Sequence, residues 1–295
     1  MNDVAAGGTV VVVPHREILE RGVTSVSDLL NLLTFTGAAQ NSHFNTQGTG
    51  RSFVDLHNLG SGRVLVLVNG QRWLPTLFGP VDLSTIPISL VDRVEVLLDG
   101  PSPIYGASGI AGVVNIITVK NFNGAQVGLY DGGYDAHSDG GGYDGKTYDV
   151  HAMLGASSDR GNVMAGFGYL QQDPVFAGQR TISRYPLAGF GDQLGSTATP
   201  GGNLQLLTDN PGNYAGKCGS GQGGFAYSCD LAGPFVPASA AHPFTNDDRY
   251  NDQADSYIQT PQEQWYVFSQ GNYQLADNLA FDYLTTYVRR NASEL

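Results

Sequence analysis

The sequence predicts a small α+β domain over residues 1–121, followed over residues 122–295 by long antiparallel β-strands. Three observations carry this. The 295 residues include 40 glycines and 14 prolines, too many for a helix-rich chain. Charged residues are only 14%, and 15 tyrosines suit many strands joined by turns. The apolar pattern also changes near Asn121, from mixed runs to strict alternation. A net charge of −12 is a poor match to a phosphate backbone, so nucleic-acid binding is not expected.

In the first region Val10–Val13 reads as a short strand. Thr24–Leu33 reads as a helix, because Val26, Leu29, Leu30 and Leu33 fall at i, i+3, i+4 and i+7, with Ser25 or Ser27 as cap. Phe44–Ser52 is polar and rich in Gly and Asn, and reads as loop. Arg63–Val68 is a strand ended by the turn pair Asn69-Gly70. Gln71–Pro80 reads as loop. Ile88–Leu98 begins near a helical turn and ends as a strand, and Val113–Val119 is another strand. The polar turn at Asn121–Gly124 marks the boundary.

In the second region the faces alternate. Ala125, Val127 and Leu129 oppose Gln126, Gly128 and Tyr130. Tyr148, Val150, Ala152 and Leu154 oppose Asp149, His151 and Met153. Val163, Ala165, Phe167 and Tyr169 oppose Met164, Gly166 and Gly168. Trp265, Val267, Tyr273 and Leu275 oppose Gln270, Asn272 and Gln274. Leu279, Phe281, Tyr283 and Tyr287 oppose Ala280, Asp282 and Thr286. This pattern fits a membrane barrel with a wet lumen, and equally a half-buried sheet in a soluble sandwich. The connections favour the barrel. Ser157–Asn162 and Asp277-Asn278 are short, Asp135–Gly145 is longer and Asp173–Gln262 is very long, with short and long connections at opposite ends. Cys218 and Cys229 lie in the longest one, at a spacing that suits a local disulfide or two free thiols.

Four ordered blocks resemble a known family. They are Arg63–Arg72 (RVLVLVNGQR), Val81–Pro87 (VDLSTIP), Val91–Pro101 (VDRVEVLLDGP) and Ile104–Thr118 (IYGASGIAGVVNIIT). Together they resemble the plug domain of TonB-dependent outer-membrane receptors. The resemblance covers roughly the first 120 residues and implies a plug followed by an antiparallel transmembrane β-barrel. It implies energised uptake of a scarce solute, most often a ferric siderophore, with cobalamin, carbohydrate or another nutrient as alternatives. The implied partners are TonB with ExbB and ExbD, the small-molecule ligand and outer-membrane lipid. By position, the loops expected to face outward are Phe44–Arg51, Asn58–Arg63 and Gln71–Pro80. The candidate solute contacts are Gln47, Arg51, Arg72, Trp73 and Phe78, since arginine suits an anionic chelate and an aromatic ring gives a rigid platform. For Trp73 and Phe78 the competing expectation is packing on the barrel wall.

Arg93 and Glu95, two apart on one strand, face the same way and are expected to reach the barrel wall, with a solvated surface pair as the competing reading. Asn115 interrupts an apolar strand and is expected to satisfy a backbone group. The family's usual Arg-Gly pair is replaced by His57-Asn58, which puts that arginine's interactions in doubt. About five strands cannot close a barrel, so the chain is expected to be a fragment, without its signal sequence, TonB box and most of its strands. In a barrel, the cysteines are expected to form a Cys218–Cys229 disulfide in an external loop, worth about 3 kcal/mol.

No enzyme is expected: the six histidines lack metal spacing and no serine stands in a nucleophile elbow. No cofactor or metal is expected, and the acidic stretches read as solvated loops. Gly219–Gly224 matches a dinucleotide pattern but has no flanking strand and helix. Two other functions stay open: a soluble or surface β-rich binding or adhesion module, and a receptor that relays a signal. Aromatics at both ends of one strand face would separate barrel from module.

Overall fold

A computed structural model describes residues 9–43, 50–98, 106, 109–137, 142–186, 203–206, 219–220, 227–230, 242–243 and 248–293. The chain forms two compact units. One contains 1–135, 143–175 and 258–295, and the other contains 136–142 and 176–257.

The first unit holds a small sheet and a wall. The small sheet is built from β1 (Val10–Pro14), β2 (Val64–Val68), β3 (Gln71–Arg72), β4 (Val91–Leu97) and β5 (Gly112–Thr118), in the order β1-β4-β5-β2-β3. β2 and β5 run parallel and the other pairs antiparallel. All five residues of β2 are buried, as expected for a continuous apolar run. Asn69 and Gly70 both take positive φ, 51° and 81°, which lets β2 reverse into β3.

Two helices cover the sheet. α2 (Val26–Asn31) starts where the sequence predicts, with Ser25 Oγ accepting from the Asp28 amide at 3.0 Å. It buries Val26, Leu29 and Leu30 in a core with Leu56, Leu83, Val94, Val96 and Ile116. α1 (His15–Arg21) is not predicted by apolar spacing, since only Ile18 is buried. Pro14 opens it, Arg16–Glu20 and Glu17–Arg21 pair at i, i+4, and left-handed Gly22 closes it. β3 is a second difference, because Gln71 and Arg72 pair with Val68 and Leu67 rather than forming loop.

The wall is a five-stranded antiparallel sheet of β6 (Gly124–Asp135), β7 (Tyr143–Ser158), β8 (Gly161–Gln172), β9 (Gln262–Ala276) and β10 (Leu279–Ala292), in the order β10-β9-β8-β7-β6. Its strands reach 16 residues, well beyond the five or six typical of globular sheets. β7–β8 and β9–β10 are each joined by two residues at one end of the wall; the long connections leave from the other. On β9 the outward residues Trp265, Val267, Tyr273 and Leu275 are exposed, while Gln264, Tyr266, Phe268 and Gln270 are buried. Aromatics therefore occupy both ends of one outer face, which favours the barrel over a soluble module. No helix among the described residues is long and apolar enough to cross a membrane, which says nothing of strands.

The second unit contains a small antiparallel sheet of the strands Asn203–Leu206, Gly219–Ser220, Tyr227–Asp230 and His242–Pro243.

Candidate functional site

The inner face of the wall meets the small sheet along one seam. At its long-connection end, Arg290 on β10 donates from Nη2 to Asp82 Oδ2 at 3.1 Å and from Nη1 to Ser84 Oγ. Gln264 Nε2 on β9 donates to the Ser84 carbonyl at 3.0 Å. The side chains of Arg290 and Asp82 are only 15% and 10% exposed, so solvent screens this pair far less than a surface pair. Asp82 Oδ1 also accepts from the amides of Ser52 (3.1 Å) and Ser84 (3.2 Å) and from Ser84 Oγ (2.6 Å).

In the middle of the seam, Leu90 packs into a cluster with Met153, Met164, Tyr266 and Phe268, and Ser89 Oγ meets the Tyr266 hydroxyl at 3.1 Å. Gly166 and Gly168 leave room for the Phe268 and Tyr266 rings that cross above them. At the short-turn end, Gln270 Nε2 donates to the Val119 carbonyl, and Asn162 Nδ2 donates to the Phe122 carbonyl at 3.0 Å. A polar cavity of about 250 Å³ lies there, lined by Asn69, Gln71, Lys120, Asn162, Asn272 and Asp282 among others. The wall's inner polar side chains thus grip backbone carbonyls of the small domain, a use that strand alternation alone does not reveal.

The predicted contact residues separate. Gln47 lies outside the described residues. Arg51 is half-buried at the long-connection end, between Gly50, which abuts Arg290 and Ala292, and Ser52. Arg72 is not beside it. It follows Gln71, which lines the cavity at the opposite, short-turn end. Trp73 packs against the small-domain core and donates from Nε1 to Thr85 Oγ1 at 2.9 Å, so its indole is committed inside the domain rather than to the wall. Phe78 is 82% exposed beside Leu77, at the tip of a loop closed by Thr76 N donating to the Pro80 carbonyl at 2.9 Å.

Arg93 and Glu95 share a face of β4 as expected, but their hydrogen bonds stay within the small sheet. Arg93 Nε donates to Glu95 Oε1 at 2.8 Å, Arg93 Nη1 to Asp92 Oδ2 at 3.1 Å, and Asn115 Nδ2 to Glu95 Oε2 at 3.1 Å. Asn115 Oδ1 also accepts from the Gly70 amide at 3.0 Å, the backbone role its position implied. His57 and Asn58 both take left-handed φ, and His57 Nδ1 lies 3.2 Å from the Ala111 carbonyl. The Cys218–Cys229 pairing lies outside the described residues.

Asp82, Arg290 and Gln264 were not singled out by sequence. The one available signal was the phase of Arg290, which follows Leu284, Thr286 and Val288 on the inward face of β10.

A small α+β domain is gripped by the polar face of long strands whose other face carries apolar residues and aromatics, an arrangement that fits a domain seated against a barrel wall. Residues 3–113 match the model of the TonB-dependent Receptor Plug Domain, and a five-stranded antiparallel sheet follows them. The same fold occurs in solved structures. The ferric enterobactin receptor PfeA from Pseudomonas aeruginosa, in complex with enterobactin, superposes with a TM-score of 0.56 at 14% identity, covering 97% of this chain and 34% of its own. The siderophore receptor PirA from Acinetobacter baumannii gives 0.54 at 13% identity, with 96% and 32% covered. PirA from P. aeruginosa gives 0.50 at 13% identity, with 97% and 36% covered. The chain thus spans about a third of the length of the solved receptors it matches.

Proposed function

We propose that this chain is the plug, to Asn121, and the first barrel strands, from residue 122, of a TonB-dependent outer-membrane receptor that imports a ferric siderophore. The carrying observation is the seam: plug backbone carbonyls and Asp82 are held by Arg290, Gln264 and Gln270 from the inner face of the wall. Among the described residues the plug is held by hydrogen bonds and one ion pair with a small apolar cluster between, and contacts of this kind can be released without exposing a large core. The solute binds at the long-connection end, where Arg51 lies. TonB, energised by ExbB and ExbD, acts from the short-turn end. Arg93 and Glu95 are proposed to reach parts of the wall beyond these five strands. The receptor performs no catalytic step. The siderophore cargo rests on the likeness to receptors named for ferric enterobactin and siderophores.

The test is uptake of radiolabelled iron from ferric enterobactin by cells whose only such receptor is the full-length protein, with and without TonB. Iron uptake that requires TonB is expected. Uptake that is independent of TonB would overturn the transport reading. Import of cobalamin in place of ferric siderophores would overturn the cargo.

A further inference from the structure

We infer that Asp82 is the joint that ties the outward segment around Arg51 to the barrel wall, so that this segment and the Asp82–Arg290 ion pair open together. This deepens the uptake reading and rests on it only for which end faces outward.

The carboxylate of Asp82 serves two bodies at once. Oδ2 faces the wall and accepts from Arg290 at 3.1 Å. Oδ1 faces the plug and accepts from the Ser52 amide at 3.1 Å. The Leu83 amide returns to the Ser52 carbonyl at 2.8 Å, so Ser52 is held from both sides by the turn that Asp82 begins. The same turn holds the second candidate loop. Thr85 Oγ1 donates to the Asp82 carbonyl at 2.6 Å, and Trp73, at the root of the loop that exposes Phe78, donates to Thr85.

Both segments that carry candidate solute contacts therefore converge on one residue. Gly50 closes the arrangement: it takes φ 68°, and a Cβ there would overlap that of Ala292 and crowd Arg290. Displacing Arg51 and Ser52 outward withdraws a donor from Asp82 and moves Gly50 off Arg290. By linkage, breaking the ion pair from the wall side loosens Ser52 by the same free energy. Asp82 is in this sense a positioning residue and needs no contact with the solute.

The test uses the full-length receptor in lipid nanodiscs, without solute or TonB, read by amide hydrogen exchange. Arg290→Gln is expected to speed exchange at Ser52, Leu83 and Ser84 by about tenfold, while β7 and β8 keep their protection. Arg290→Lys, which keeps a charge near Oδ2, is expected to restore part of it. Asp82→Asn keeps an acceptor for the Ser52 amide but loses the charge, and is expected to speed Ser52 as well. In that background Arg290→Gln is expected to add nothing further, since the joint is already open. Unchanged Ser52 exchange in Arg290→Gln, or full additivity of the two substitutions, would overturn the inference. So would a rise that includes β7 and β8, because Arg290 would then be holding the wall itself. A receptor that fails to import iron still reads this joint, so the two failures are distinguishable.

Discussion

The two tryptophans of the chain sit on opposite sides of one wall. Trp73 lies in the plug with its indole N–H spent on Thr85, 2.9 Å away, and its ring on the plug core. Trp265 lies on the outer face of β9, half exposed, tilted against Tyr169 with ring centroids 4.3 Å apart. The contrast extends along β9. Outward Val267, Tyr273 and Leu275 are bare, and inward Gln264 and Gln270 are buried. A water-soluble sheet would reverse this. Such a pattern suits a wall with lipid outside and a partner inside.

The largest expected effect breaks the outer side. Val267 is flanked across the ladder by Phe167 and Tyr287, all exposed. Val267→Arg is expected to cost about 2–4 kcal/mol of folding stability in a bilayer. Reversible urea unfolding of the full-length protein from lipid vesicles measures it; a cost near zero would mean that the face is not in lipid. Next comes the inner side. A Cβ at Gly166 would press on the Phe268 ring and lie 2.8 Å from the Ala152 carbonyl. Gly166→Ala is expected to cost about 1–3 kcal/mol and to loosen the plug turn at Ser89–Leu90, seen as faster amide exchange there.

Ser89→Ala sharpens the comparison. It removes one partner of a plug–wall hydrogen bond and is expected to cost about 1 kcal/mol of plug docking, measured by protease release of the plug in situ. The smallest effect concerns pH. Burial holds the Asp28 carboxyl above its ordinary 3.8, against the lowering pull of Ser25 and His43. The ionised form is therefore disfavoured in the fold; the penalty is absent below the ordinary value and grows as pH rises through it. Asp28→Asn is expected to stabilise the plug slightly at pH 7 and to leave it unchanged at pH 3, by thermal unfolding at the two values.

Legibility followed the range of each interaction. The faces of all five wall strands were readable because alternation is a local property, as were the Asn69-Gly70 turn and the Ser25 cap. α1 was missed because salt bridges at i, i+4 and a C-terminal glycine stabilise it, rather than an apolar stripe. Arg72 was grouped with Arg51 because both are arginines in expected loops; pairing of β3 with β2 carries it to the other end of the seam. The Asp82–Arg290 joint spans 208 residues, and no local pattern pairs its ends.

The most direct test of a wall with lipid outside and the plug inside uses the two indoles. The full-length receptor is placed in vesicles of lipid brominated high in the acyl chain, and fluorescence quenching is compared in Trp265→Phe and Trp73→Phe variants. The expected result is that Trp265→Phe removes a lipid-quenched component and Trp73→Phe leaves quenching intact. Quenching unaltered by Trp265→Phe, or lost with Trp73→Phe, would contradict the assignment of the two faces.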